Sequence, residues 1–565
     1  MSDESKQKYD LVKAKLEEMK PLFDRMDEDE KLYLLDEFKM EKMDGSGDEK
    51  DVSNVTLNDP LLYAKKAIAI TGSYQKQTVV EGNDLTDKQT TKIEEFLDDI
   101  FYVLDEWLPN RGIPSLDAFI NEQACIRGRI GARSVIRMGG EGIIPDIVPV
   151  DTRWFPIETG PGGMIWGAPI CSRSKAQIER EYPDITIGLK STENQVIDFW
   201  DEEKELVFIG QELVKEEVNN YKYPPFVIAK SPIGCMLNTE DALKHDGESI
   251  FWPNRSLWGA KNETTTILKT LSRKALKGGL ELQRSVNSPD RGKKPEESPF
   301  QEDVVIETEI GGGFRQLPVN DIKSATRLLY SIIETCLQRG ELTPLDYGTL
   351  TFPLSSVAIL NLIAARNDIF APILSMIASF YQRLSRMVID QCVQLNQPIK
   401  IGRPGNYRSY SPSDFKGEYS INYHFFLITK EQTAADLAIA NSARGFLPDN
   451  YILREVLKVQ DPDGLELELK SQQAEQTDEV LFLYRRARAL IDKDKPKPEE
   501  QIESYILAER IKTILQQRRN IGSLSPMEGK REAEPNPEGL LPMFTKGGQG
   551  GIRTPKPEEA ESEEV

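Results

Sequence analysis

Residues 255–283, RSLWGAKNETTTILKTLSRKALKGGLELQ, decide how this chain is read. With Asn254 ahead of them they predict one long helix, loosened at Gly278-Gly279. From Arg255 to Lys294 ten Lys or Arg stand against three acids, a balance of +7 in a chain whose total is −21. The field of an acidic protein repels nucleic acid, so a concentrated basic patch points to a built contact with a polyanion. A solvated helix face is the plain alternative. The insert 285–318 holds SPDRGKKPEESP, the strand EDVVIETEI and Gly311-Gly312-Gly313, read as a tight turn. A second helix opens at Asn320 or Asp321, turns Ile322, Leu328, Leu329, Ile332, Ile333 and Leu337 to one side, and stops at Gly340. ELTPLDYGTLTFP is then a loop, and 355–395 a helix of about forty residues, with a kink expected at Pro372.

Outward from that stretch the pattern is mixed. Residues 1–50 read as a polar helix and a loop, with MDGSGDEKDVSN as a flexible joint and the ordered body beginning near Asp59. Asp59-Pro60 looks like an N-cap and first-turn proline for a helix that buries Leu62, Ala67 and Ile70. A second helix opens at Thr86 or Asp87, with Ile93, Phe96, Leu97, Ile100, Val103 and Leu104 at helical spacing. Residues 115–137 pass from helix into strand. From 133 to 233 short β-rich runs alternate with Gly, Pro and charged turns. EYSINYHFFLIT is a strand and 431–520 reads as helical, so the fold class is α+β. The stretch from Gly522 on, rich in Gly, Pro and Glu, is expected to be disordered.

Bulk properties remove several classes. At 565 residues and 39% hydrophobic the chain has ample core without disulfides or metals. No apolar run approaches a membrane span, and MSDESKQKYD lacks signal-peptide character. Cys125, Cys171, Cys235, Cys336 and Cys392 are far apart and read as buried free thiols; with two histidines, His245 and His424, metal binding is not expected, nor any cofactor. No GxxxxGK[ST] loop is present to hold a nucleotide. Pro462, Asp463, Glu468 and Lys470 superficially fit the PD…ExK pattern of metal-dependent nucleases. Such chemistry needs its acids gathered round a cation, whereas DPDGLELELKSQQ reads as a helix start capped by Asp461.

Taken in order, the segments resemble the portal protein of tailed bacteriophages, over residues 55–520. DPLLYAKKAIAI resembles the early wing helix, and IPDIVPVDTRWFPIETGPGGMIWGA a strand, turn and β-hairpin of that family. VIDFWDEEKELVFIGQE followed by NNYKYPPFVIAKSPIG is similar to its hairpin and N-x-x-G-x-x-P-F-V phrase, with Tyr and Pro where Gly is common. HDGESIFWPNRSLWGAKNETTTILKTL resembles the entry into the first stem helix, and ITKEQTAADLAIANSARGFLPDNYILREVL the approach to the crown.

The resemblance implies a portal-like architecture: polar arm 1–54, wing 55–253 and 354–430, stem helices 254–283 and 320–339, clip 284–319, tunnel loop 340–353, crown 431–520, acidic tail 521–565. It implies a non-enzymatic homo-oligomeric ring, usually of twelve subunits, at the capsid portal vertex of a virion and made in the host cytoplasm. The ring would pass double-stranded DNA during packaging and ejection, and would meet the terminase large subunit, a head-tail adaptor, and major capsid and scaffolding proteins. Candidate DNA-facing residues are Lys269, Arg273, Lys277 and Arg327 on the stem, with Thr343, Asp346, Tyr347 and Thr349 in the tunnel loop. Some of the cations could instead form salt bridges between neighbouring stems. Arg291, Lys293, Lys294, Glu307 and Glu309 are the clip's docking candidates, and EDVVIETEI could pair with a neighbour's strand. Trp252 and Trp258 are candidates for packing between subunits or for core anchoring. Another phage head or neck component, or a metal-dependent nuclease, are the alternatives.

Overall fold

The computed structural model describes residues 3–42, 44–82, 85–139, 142–183, 188–190, 192–234, 242–276, 280–283, 313–316, 324–340, 342, 346–347, 356–403, 405–426, 437, 439–457, 459, 462–491 and 498–522. The fold is α+β, in two units, Met1–Glu468 and Leu469–Val565.

The core of the first unit gathers around helices α3 (Asp59–Gly72), α4 (Asp87–Asn110) and α5 (Leu116–Ile126). Thr86 and Gln89 close a reciprocal capping box at the start of α4, satisfying donors that a helix end leaves open. Helical spacing then places Ile93, Phe96, Leu97, Ile100 and Leu104 out of solvent altogether, while Val103 is only partly covered. On α3 Ala67 and Ile70 are buried as expected, but Leu62 stands 47% exposed, because Tyr63 and Ala64 take the inward face.

Three strands, β2 (Arg129–Gly139), β3 (Gly142–Val150) and β10 (Phe226–Lys230), form a sheet in the order β10-β2-β3. The forty-residue helix α9 (Ser356–Leu395) packs on it. Gln391 of α9 is wholly buried and acts as a pseudo-strand: its amide oxygen accepts from Ile136 N at 3.0 Å and its nitrogen donates to Ser134 O at 2.7 Å. A buried amide left unpaired there would be costly, so the contact fixes how α9 sits on the sheet.

A six-stranded sheet is built from β4 (Ile157–Gly160), β5 (Gly163–Gly167), β6 (Ile170–Ser174), β7 (Glu193–Trp200), β8 (Lys204–Ile209) and β9 (Glu212–Val218), with the short helix α6 (Lys175–Glu181) following β6. A strand absent from the sequence reading, β1 (Gln75–Glu81), pairs antiparallel with β15 (Ser420–Phe426). His424 stands opposite Gln77 in that ladder. Strands β13 (Ile399–Arg403) and β14 (Asn406–Tyr410) make a further hairpin.

The N-terminal stretch corrects the expectation of a polar arm ahead of a body that starts near Asp59. Helices α1 (Asp3–Glu18) and α2 (Lys20–Leu34) belong to the first unit and pack into its body. Tyr9 and Val12 cover Trp166, Phe199 and Phe208 of the six-stranded sheet, and Leu22, Phe23 and Met26 are buried. The charged stretch of α2 is a clasp. Arg153 grips Asp27 through two bonds of 2.6 and 2.8 Å, and Arg127 reaches Glu30 at 2.8 Å. Arg25 donates to Glu248 at 2.9 Å and to Gly247 O at 3.0 Å, while Arg255 holds Asp29 at 2.7 Å and Glu248 at 2.6 Å. The backbone approaches closely here. Gly128 has φ +66, and a Cβ on it would lie 2.4 Å from the carbonyl oxygens of Gly247 and Glu248, so only glycine fits.

Burial alone would raise the Glu248 carboxyl, but the hydrogen bond from Arg255 and the charges of Arg25 and Arg255 hold it below its ordinary value. Its contribution is present above the ordinary glutamate value and fades as pH falls through the lowered folded one. For Asp29 burial outweighs Arg255 and holds the carboxyl above its ordinary value, so its ionisation opposes folding as pH rises.

In the second unit α11 (Glu479–Ile491) and α12 (Pro498–Gly522) pair, with Leu483, Ala487 and Leu490 buried. Arg518 donates to both oxygens of Asp478, and its hydrogen bond holds that carboxyl down at about 2. Helix α10 (Pro462–Thr477) begins at the expected proline. Asp461 and residues 523–565, expected as a cap and a disordered tail, lie outside the described residues.

Replacing Glu248 by Gln strands two arginines beside one carboxylate and is expected to cost about 3 kcal/mol. Thermal unfolding of the full chain checks this, and an unchanged midpoint would contradict the central place given to the cluster.

Candidate nucleic-acid interface

Helix α7 (Arg255–Leu276) starts from the turn Trp252–Asn254, whose proline presets the backbone for a helix. Trp258 is 1% exposed, its ring 5.9 Å from Tyr63 and 5.5 Å from Phe251, so it anchors the helix in the core; Trp252 remains 40% exposed. Helix α8 (Ser324–Gly340) packs on α7 antiparallel: Lys261 lies 4.0 Å from Glu334, and Asn254 at the base of α7 donates to Leu337 O at 3.3 Å near the end of α8. Gly340 makes that approach possible, because a Cβ there would stand 2.3 Å from the Asn254 amide oxygen.

At the far end the expected single helix divides. Helix α7 stops at Leu276, and β11 (Leu280–Gln283) pairs with β12 (Gly313–Gln316), beyond the expected glycine break. Gly313, read as turn, opens β12. EDVVIETEI, Gly311, Gly312 and the docking candidates Arg291, Lys293, Lys294, Glu307 and Glu309 lie outside the described residues, as do Lys277, Thr343 and Thr349.

The described cations of the basic patch all have partners within the chain. Arg255 is enclosed between Asp29 and Glu248. Lys261 bonds Asp59 at 3.1 Å; burial would lower its pKa, but that bond holds it above the ordinary lysine value. Lys269 donates to Asn54 O at 3.3 Å and Arg273 to Ser53 Oγ at 2.5 Å, both still exposed side chains. Arg327 is exposed on α8, beside Leu328, Leu329 and Ile332, which are 51 to 62% exposed. Asp346 is buried against Arg366 at 3.1 Å, and Tyr347 packs half-buried on the main core.

The segment that meets Lys269 and Arg273 is the stretch read from sequence as a flexible joint. Residues 36–57 leave α2, turn back at Lys42–Gly47, and return along α7 as an extended strap. Three backbone N–H groups donate to α7 side chains: Leu57 to Asn262 Oδ1, Val55 to Thr266 Oγ1 and Ser53 to Thr270 Oγ1, each at 3.0 Å. Alternate strap residues meet every fourth helix residue because two extended residues span about 6.6 Å and four helical ones about 6 Å. Thr266 is wholly buried beneath the strap. The polar repeat Asn262, Thr266, Thr270 was the signal available in the sequence for this contact.

The nuclease alternative finds no support in geometry: Pro462, Asp463, Glu468 and Lys470 follow one another along a single helix. Among the described residues no group of three or more His, Cys, Asp or Glu is placed to hold a metal ion, and no helix is long and apolar enough to cross a membrane. Of the described cysteines, Cys125 and Cys392 are buried, Cys336 is half-buried and Cys171 is exposed, against the expectation of burial throughout; Cys235 lies outside the described residues.

No protein-family model matches the chain, and no curated protein matches it. Among solved structures it is similar to a chain in the neck of an empty GTA particle computed with C6 symmetry, at 12% identity over 70% of this chain and 89% of that one, TM-score 0.37. It is also similar to chains in the virion of a native gene transfer agent (GTA) particle and in the neck of a native GTA particle computed with C12 symmetry. In both cases identity is 12%, coverage 71% and 89%, and TM-score 0.34.

Replacing Gly340 by Ala drives a methyl group into Asn254 and is expected to lower stability by about 1–3 kcal/mol. A wild-type thermal midpoint for Gly340→Ala would show that the α7–α8 junction has slack.

Proposed function

We propose that the chain is a portal-like subunit of a phage-type head-tail connector, which closes with identical copies into a ring around an axial passage for duplex DNA. The observation that carries this reading is an antiparallel helix pair inserted into a body whose parts on either side share one core. Tyr63 and Phe96 before the pair, and Phe380 and Tyr423 after it, belong to one buried cluster. A hairpin held this way is a projecting rod on a rigid base, and rods arranged round an axis make a tube.

On this reading α7 and α8 are the stem, β11 and β12 the base of the clip, 340–353 the tunnel loop, and the helices beyond residue 431 the crown. The chain is not an enzyme; its work is assembly and passage. A whole genome must slide through, which suits phosphate attraction without base reading. The DNA-facing groups are Lys277 and Arg327, with Lys269 and Arg273 shared with the strap and Tyr347 at the loop. Asp346, held by Arg366, serves the scaffold of that loop. Arg291, Lys293, Lys294, Glu307 and Glu309 in the clip would meet the terminase large subunit and the head-tail adaptor, with the major capsid protein around the ring in the virion.

Particle images of the purified chain are expected to show closed rings with a central hole of about 20 Å or more, enough for a duplex. A chain that stays monomeric at every concentration, or that forms an open or solid assembly, contradicts the reading and favours another head or neck component.

A further inference from the structure

We propose that residues 36–57 are an acidic cover for α7 that withholds Lys269 and Arg273 from DNA in the isolated subunit. The inference rests on the reading of α7 as a DNA-facing helix and adds a control to it. The strap holds seven acids against three lysines, a balance of −4, and α7 holds five cations against one acid, a balance of +4.

Two of those five, Arg255 and Lys261, are ion-paired within the body. Lys269 and Arg273 point outward, and both bind the strap: one its backbone carbonyl, the other its serine hydroxyl. Among the described residues no carboxylate is in contact with either cation, while Asp51 stands two residues from Ser53 on the strap. Two extended residues span about 6.6 Å, so at least this acid acts on the pair within the Debye length of about 10 Å at 0.1 M salt.

The attachment is built to hold a backbone rather than particular side chains. Asn262, Thr266 and Thr270 each take one N–H, and Thr56 and Asn54 in turn accept from Phe38 N at 2.8 Å and Met40 N at 3.3 Å. Removing two of the three rungs on α7 is expected to release the strap from the helix.

The test uses the full chain and a fluorescent 30-base-pair duplex of arbitrary sequence, titrated over a range of salt. Thr266→Val with Thr270→Val removes two acceptors at constant volume and is expected to expose 36–57 to protease. A second variant, Asp44→Asn, Asp48→Asn, Glu49→Gln and Asp51→Asn, keeps the ladder and removes charge. Both are expected to bind the duplex about five- to tenfold more tightly at 0.1 M salt, the opened ladder with the steeper salt dependence. Adding Lys269→Glu and Arg273→Glu to either is expected to erase the gain. Should the charge-neutralised strap bind no better than the parent while Lys269→Glu with Arg273→Glu weakens binding, the strap is only a staple and the DNA reading survives. Should the double charge reversal leave binding unchanged in every background, the DNA reading of this face falls and the cover with it.

Discussion

Four charges enclosed at one point set the geometry of everything around them. Arg25 and Glu248 have no exposed side-chain surface, Asp29 has none, and Arg255 very little. Stripping such groups of water is expensive, and only close pairing with further hydrogen bonds offsets it. The arrangement tolerates little displacement, because shifting any one member leaves another buried and unpaired. It joins α2, the Gly128–Gly247 backbone approach and the first residue of α7, so the angle at which the helix pair leaves the body is set there. Position rather than raw stability is what such a cluster supplies, since apolar residues of similar volume could pack as well.

From that anchor the helix pair is held twice more. Trp258 ties α7 into an aromatic group with Tyr63 and Phe251, and Asn254 bridges the base of α7 to the end of α8. Farther out the contacts become polar and the apolar residues of α8 face outward. Leu328, Leu329 and Ile332 are a surface that a monomer would ordinarily keep covered. On the proposed reading, this apolar stretch of α8 is the part of the helix pair that a neighbouring copy would cover.

Much of this was legible in the sequence, and the failures have physical causes. The amphipathic face of α4, the forty-residue length of α9 and the stop at Gly340 follow from helical period and glycine, and all stand in the structure. Strand β1 escaped because QKQTVVE is too short and polar at its start to show alternation. The N-terminal helices were misjudged because their apolar residues are few and their contacts electrostatic: MDEDE looks like solvated charge until the arginines that meet it, far along the chain, are known. The helix pair's cations read as a free patch for the same reason. Composition counts charge but not who neutralises it, and Arg255 and Lys261 each meet a partner remote in sequence, Asp29 and Asp59.

The strap lies along α7 as a vernier lies along a scale. Its step exceeds the helix's by about half an ångström per rung, and every fourth helix residue also rotates about 40° around the axis. The run of three rungs ends where the chain leaves the extended form: Asp51 sits at φ +63 before the first rung, and α3 begins at Asp59 just after the last. Backbone conformation at its two ends therefore sets how far the contact runs, and residues added at the turn would lengthen the loop without adding a rung.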